Sequence, residues 1–99
     1  MAGDRQTIIS DIKSYVAKIG NDYSQWYVGV ASDPKQRLFK DHAVQQAGGA
    51  WIYAPCASSA VAREIEDHFL ARGMKGGSGG GDASSKYAYA YLITRTTKE

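Results

Sequence analysis

With 99 residues, 43% of them hydrophobic and 22% charged, the chain has the size and balance of one small globular domain around a single core, not of a disordered or fibrous protein. Twelve Lys and Arg against ten Asp and Glu leave a formal net charge of +2, which permits nucleic-acid binding without announcing it, and the single cysteine, Cys56, excludes an intrachain disulfide framework or a multi-cysteine zinc site. No apolar run approaches the ~20 residues of a membrane span and the first residues lack a signal-peptide layout, so a cytoplasmic setting is expected.

The first periodic segment runs over 5–19. Ile8, Ile9, Ile12, Tyr15, Val16 and Ile19 recur at the spacing of one helical stripe, with Asp4 placed to cap the start and Gly20 to end it. After a polar turn, Trp26-Tyr27-Val28-Gly29-Val30 is rich in strand formers. Ser32-Asp33-Pro34 then joins a capping side chain to a proline at the first helical position, predicting a helix that reaches Gln45 or Gln46. Gly48-Gly49 breaks the chain, Trp51 to Ala54 reads as a second strand, and Pro55 stops it. Ser58 or Ser59 can cap a third helix with Val61, Ala62, Ile65 and Phe69 on its apolar stripe, ended by Gly73. Six glycines between positions 73 and 81 predict a mobile, glycine-rich loop over 73–86. The last segment, Tyr87 to Ile93, alternates at strand period: Tyr87, Tyr89, Tyr91 and Ile93 share one face, and Ala88, Ala90 and Leu92 the other. The expectation is a single α/β (α+β) domain over 1–99, a three-stranded, mainly antiparallel sheet flanked by three helices in the order α-β-α-β-α-β.

Several chemistries fail on spacing. There is no phosphate-binding GxxxxGK[ST] sequence, and the glycine run at 76–81 follows a helix and precedes a strand, the reverse of a dinucleotide site. Cys56 directly follows Pro55 and reads as an inert buried thiol. Glu64 and His68, four apart on a helix, supply too few ligands for a metal site.

The stretch from Tyr27 to Leu38 is different. Tyr27-Val28-Gly29 is followed by a small residue, an Asp cap at Asp33 and Arg37 ten positions after the tyrosine, and a later helix carries Ala62, Glu66, Phe69 and Leu70. In this the sequence resembles the GIY-YIG nuclease superfamily over roughly Trp26 to Gly73, about half the chain. The resemblance implies metal-dependent phosphodiester hydrolysis on DNA, with Mg²⁺ or Mn²⁺ held by Glu66, Arg37 stabilising charge on the phosphate, and Tyr27 helping to activate the attacking water. These residue types suit the task. A single carboxylate with waters and the substrate's phosphate satisfies Mg²⁺, and an arginine fork binds phosphate oxygens in pairs.

On a helical wheel of about 100° per residue, Glu66 falls at the margin of the apolar stripe, and Arg37 nearly opposite Leu38, Phe39 and His42. Some family enzymes place a histidine four residues after the arginine. Here residue 41 is Asp and His42 comes one later, so His42 reads either as a proton shuttle or as a hydrogen-bonded core histidine.

Two family features are missing. No Gly-Ile-Tyr strand precedes Trp26, and the asparagine often found after the glutamate has only Asp82 as a nearby polar substitute. The final strand contains Tyr91-Leu92-Ile93, which echoes the first family motif. The expectation is that this strand stands beside that of Tyr27, as in a circular permutation, and that Tyr91, or failing that Tyr89, supplies a second active-site phenol. Lys35, Lys40, Lys75 and Lys86 are candidates for phosphate contacts, with DNA as the partner and no membrane. The alternatives are a non-catalytic module of the same fold that binds nucleic acid or a protein, and a ligand-binding domain closed by the glycine loop.

Overall fold

Helix α1, Arg5–Lys18, begins where the Asp4 carboxylate accepts the Thr7 N–H at 2.8 Å, and it buries Ile8, Ile9, Ile12 and Val16. It ends as Gly20 takes up φ +87°. The computed structural model describes residues 4–76 and 84–98, so the run at 77–81 and Asp82 lie outside the described residues. Strand β1 spans Trp26–Ala31, β2 Trp51–Pro55 and β3 Tyr87–Leu92, and helix α2 covers Ser59–Leu70 with Ser58 Oγ accepting the Val61 N–H.

The strands form one antiparallel sheet in the order β1-β3-β2, with the C-terminal strand in the centre. Tyr27 stands opposite Tyr91, and Gly29 opposite Tyr89. The expected pairing of the last strand with that of Tyr27 is therefore present. Both α-helices pack on one face, where Trp26, Val28, Val30, Ala88 and Ala90 meet the stripes of α1 and α2. The opposite face carries Tyr27, Ala31, Tyr89 and Tyr91, covered by Leu38 and Val44 from the segment between β1 and β2. With both faces covered, all six residues of β1 are buried, which explains why the strand reads as a continuous apolar run.

Two expectations need correction. The second helix does not reach Gln45. It is π-wound over Gln36–Asp41 and stops there, with Ala43 in the left-handed region. The reason is a competing partner: the His42 carbonyl accepts the Lys98 N–H and so is lost to a continuing helix. The third helix does end at Gly73 as expected: its last regular residue is Leu70, and Gly73 at φ +109° closes the cap, the Met74 N–H donating to the Phe69 carbonyl and the Gly73 N–H to the Leu70 carbonyl. The segment after Gly73 is not loop from its start, because Lys75 lies parallel to Tyr27 on the outer edge of β1, its N–H given to the Trp26 carbonyl at 2.8 Å. Among the described residues no helix is long and apolar enough to cross a membrane.

Candidate active site

Alternation in β3 delivers Tyr89 and Tyr91 to the face of Tyr27, and the site grows from that row of phenols. Tyr89 is the centre. Its ring lies across β1 at Gly29, where an added Cβ would meet the Tyr89 hydroxyl oxygen at 2.5 Å and Cζ at 2.6 Å. Only a residue without a Cβ admits the ring there. The Tyr27 ring stacks on Tyr91 with centroids 5.2 Å apart and on Tyr89 at 6.5 Å, and His42 leans on Tyr27 at 4.7 Å.

His42 is 6% exposed and fully engaged. Its Nδ1 lies 2.6 Å from the Lys98 carbonyl oxygen, and its Nε2 2.8 Å from the Tyr89 hydroxyl. A carbonyl only accepts, so Nδ1 carries the proton, and Nε2 accepts from the Tyr89 O–H. Tyr91, 0% exposed, gives its hydroxyl proton to the same Lys98 carbonyl at 3.1 Å. Burial holds the His42 imidazole below its ordinary value of 6.5, which keeps this neutral tautomer.

The π winding brings Arg37 to the same phenol. In a π turn residue i+5 bonds back to residue i, and here the His42 N–H donates to the Arg37 carbonyl at 2.9 Å. Position i+5 thus takes the place that i+4 holds on an α-helix, and Arg37 and His42 share a side. The interaction of the Arg37 guanidinium with the Tyr89 hydroxyl chiefly holds the arginine above its ordinary value. Burial pushes the Tyr89 phenol up to about 12, while the bond from Arg37 pulls it back. Arg37 Nε is buried without a hydrogen-bond partner, with Asp41 Oδ2 at 3.8 Å, and so is a donor in need of an acceptor. Arg37 lines an open cleft of about 230 Å³ together with Ser32, Asp33, Gln36, Asp41 and Ser85.

Glu66 comes from α2, on the helical side of the sheet. It is 4% exposed, flanked by the buried Ile65 and Phe69, and no hydrogen bond or ion pair reaches its carboxylate among the described residues. Burial raises its acid form above the ordinary 4.5, opposed by the charge of Arg63. Glu66 does not line the Arg37 cleft, but its charge acts on Tyr89. A buried carboxylate without a proton donor fits a cation as its counter-charge. It would be a single protein ligand, since no cluster of three His, Cys, Asp or Glu occurs among the described residues.

Of the residues singled out in the sequence, Tyr27, Arg37, His42 and Tyr91 share the covered face, and Glu66 approaches from the other side. Lys35 and Lys40 belong to the segment beside Arg37, Lys75 edges β1, and Lys86 precedes β3. The sequence ranked Tyr91 ahead of Tyr89 and gave no sign of the Lys98 carbonyl, which no motif marks. The bond partnership of Gly29 with Tyr89 was open to pattern reading, because the alternation in both strands permits it.

Protonation of His42 supplies a direct check. Its folded value lies below the unfolded one, so its contribution to stability is complete above about pH 6.5 and declines as pH falls. The urea midpoint is expected to drop between pH 7.5 and 6, and to drop less in His42→Gln. His68 is shifted the same way, which makes the variant comparison necessary. An equal drop in both proteins removes His42 from this role. No known protein family, curated protein or solved structure matches the chain.

Proposed function

We propose that this chain is a metal-dependent phosphodiesterase of the GIY-YIG type acting on DNA in the cytoplasm, with its first family strand supplied by β3. The carrying observation is convergence on one face of the sheet: His42 Nε2 meets the Tyr89 hydroxyl, Tyr27 stacks on the Tyr89 ring, and Arg37 stands beside them in the cleft wall. The central position of β3 and its pairing with β1 support the permuted order. The π turn supports His42 as the counterpart of the family histidine despite its extra residue of spacing.

In this reading Arg37 presents the exposed part of its guanidinium to the scissile phosphate from the cleft wall. Glu66 would hold Mg²⁺ or Mn²⁺, which when bound supplies Lewis-acid polarisation of the phosphate oxygen. Tyr27 helps to orient the attacking water. Tyr89 takes the part of the second phenol: its oxygen receives a proton from that water while its own proton passes to His42 Nε2, and the Lys98 carbonyl stabilises the imidazolium. Tyr91 positions the Lys98 carbonyl and the His42 ring, its hydroxyl lying 3.1 Å from the carbonyl oxygen and 3.0 Å from Nδ1.

Plasmid and branched DNA incubated with the protein and Mg²⁺ or Mn²⁺ test the proposal. Cleavage is expected, lost on chelation and slowed at least tenfold in Arg37→Ala. Unchanged cleavage in that variant would sink the assignment. Absence of cleavage on every substrate would favour a non-catalytic nucleic-acid-binding module, a reading that the absence of Glu66 from the cleft lining keeps specific.

A further inference from the structure

The covered face of the sheet does not end at the phenols. Trp51 and Tyr53 of β2 lie on it beside Tyr91 and Tyr89, because directly paired residues share a face. Their rings are nearly parallel, 8° apart in plane with centroids at 5.9 Å. Phe39 closes one end, edge-on to Trp51 at 5.0 Å, and Tyr87 the other, edge-on to Tyr53 at 6.2 Å. All four rings are half-buried, and α1 and α2 pack on the opposite face of the sheet. The four rings form one partly exposed aromatic strip along this face.

At the Tyr87 end the row opens into a hollow of about 270 Å³, lined by Ser32, Asp33, Pro34, Lys35, Tyr53 and Tyr87. Ser32 and Asp33 also line the Arg37 cleft, so the two spaces adjoin. Asp33 is the one acid in this lining, and its carboxylate is occupied as a cap, accepting the Gln36 N–H. The cations are Lys35 within the hollow and Arg37 in the cleft next to it, where Asp41 is a second acid, 3.8 Å from Arg37 Nε.

We infer that the aromatic row is a stacking platform for the unpaired bases of single-stranded DNA whose phosphates run past Lys35 to Arg37. Bases stack on half-exposed rings whatever their sequence, and cations beside the rings follow the backbone. A duplex hides the π-faces of its bases, so the platform selects strands that are already open near the phosphate in the cleft. A protein partner is the lesser fit, because the row leads into a small polar cleft that holds the Arg37 guanidinium and not to a further apolar surface. This inference rests on the proposed action on DNA and narrows its substrate to single-stranded or flapped forms.

Two oligonucleotides of equal length separate stacking from charge: oligo(dT), and an abasic strand with the same phosphates but no bases. Binding is measured with a chelator present, so that nothing is cut. Trp26 is fully buried and Trp51 half-buried, and these are the only tryptophans, so quenching reports on Trp51. Oligo(dT) is expected to quench and to bind at least about tenfold more tightly than the abasic strand and than a blunt duplex of the same sequence. Tyr53→Leu should weaken oligo(dT) by roughly tenfold and leave the abasic strand unchanged, whereas Lys35→Ala should weaken both alike. Equal affinity for the two strands, or Tyr53→Leu that folds and binds oligo(dT) normally, overturns the platform. A protein that cleaves plasmid without preferring bases keeps the proposed function and loses this inference. One that stacks oligo(dT) but never cleaves keeps the platform and loses hydrolysis, and one that does neither loses both.

Discussion

Glu66→Gln is expected to abolish Mg²⁺-dependent cleavage, by roughly 10³-fold, while making the fold more stable. The two effects have one cause. Glu66 is 4% exposed in the apolar stripe of α2, with no hydrogen bond or ion pair to its carboxylate among the described residues. Burial raises its pKa, which says that the fold prefers the neutral form. The sign follows. Below an ordinary value of about 4.5 the acid is protonated in both states and costs nothing, and as pH rises through the folded value the ionised group weakens the native state. The neutral amide keeps the shape without that loss. Its melting temperature should exceed that of the parent at pH 7.5, by about 4–8 °C for each ~1 kcal/mol relieved, and match it near pH 4. Added Mg²⁺ should raise the melting temperature of the parent and not of the variant, since a ligand that binds only the native state stabilises it. A variant that is active, or that melts earlier at pH 7.5, would make Glu66 a structural residue.

Such a group is retained against stability only where something else uses it. The margin position of Glu66 was legible from the wheel, because α2 is a regular α-helix and about 100° per residue holds along it. The same wheel misplaced Arg37. It set Arg37 nearly opposite His42, whereas the π turn of Gln36–Asp41 puts the two on one side. Nothing local in QRLFKD demands that winding. It is set from a distance, by the His42 ring and carbonyl bonding to Lys98, 56 residues later in the chain. The β3 strand was the most legible element, since large and small residues alternate through it and fix which side meets the helices. Alternation gave the face of the tyrosines but not their rank. Tyr89 outranks Tyr91 because Gly29 opens space for one ring and the C-terminal segment claims the hydroxyl of the other. Lys75 beside β1 was illegible for a similar reason: its bridge depends on Gly76 clearing the Val28 carbonyl and Leu70, contacts that glycine content alone does not report.

The rank of the two phenols yields the second large effect. Tyr89→Phe is expected to slow cleavage about 100-fold, and Tyr91→Phe by no more than a few-fold. Either substitution keeps the ring and its stacking on Tyr27, so only the hydroxyl is tested. Without the Tyr89 hydroxyl, His42 Nε2 loses its donor and the Arg37 guanidinium loses an acceptor. A buried acceptor left unmade costs about 1–3 kcal/mol, so Tyr89→Phe should also lower the urea midpoint. Tyr91→Phe removes one of two donors to the Lys98 carbonyl, and the His42 Nδ1–H remains on that oxygen. Its stability loss is therefore the smaller, about 1 kcal/mol. The pH profile separates catalysis from packing. If Tyr89 passes its proton to His42, kcat in the parent falls as His42 becomes protonated, at a pH below the ordinary imidazole range, and this limb disappears in Tyr89→Phe. A merely structural hydroxyl would lower the rate without erasing the limb. The reverse order of rates, with Tyr91→Phe the slower enzyme, would return the second phenol to Tyr91 and leave Tyr89 as the anchor that holds Arg37 in place.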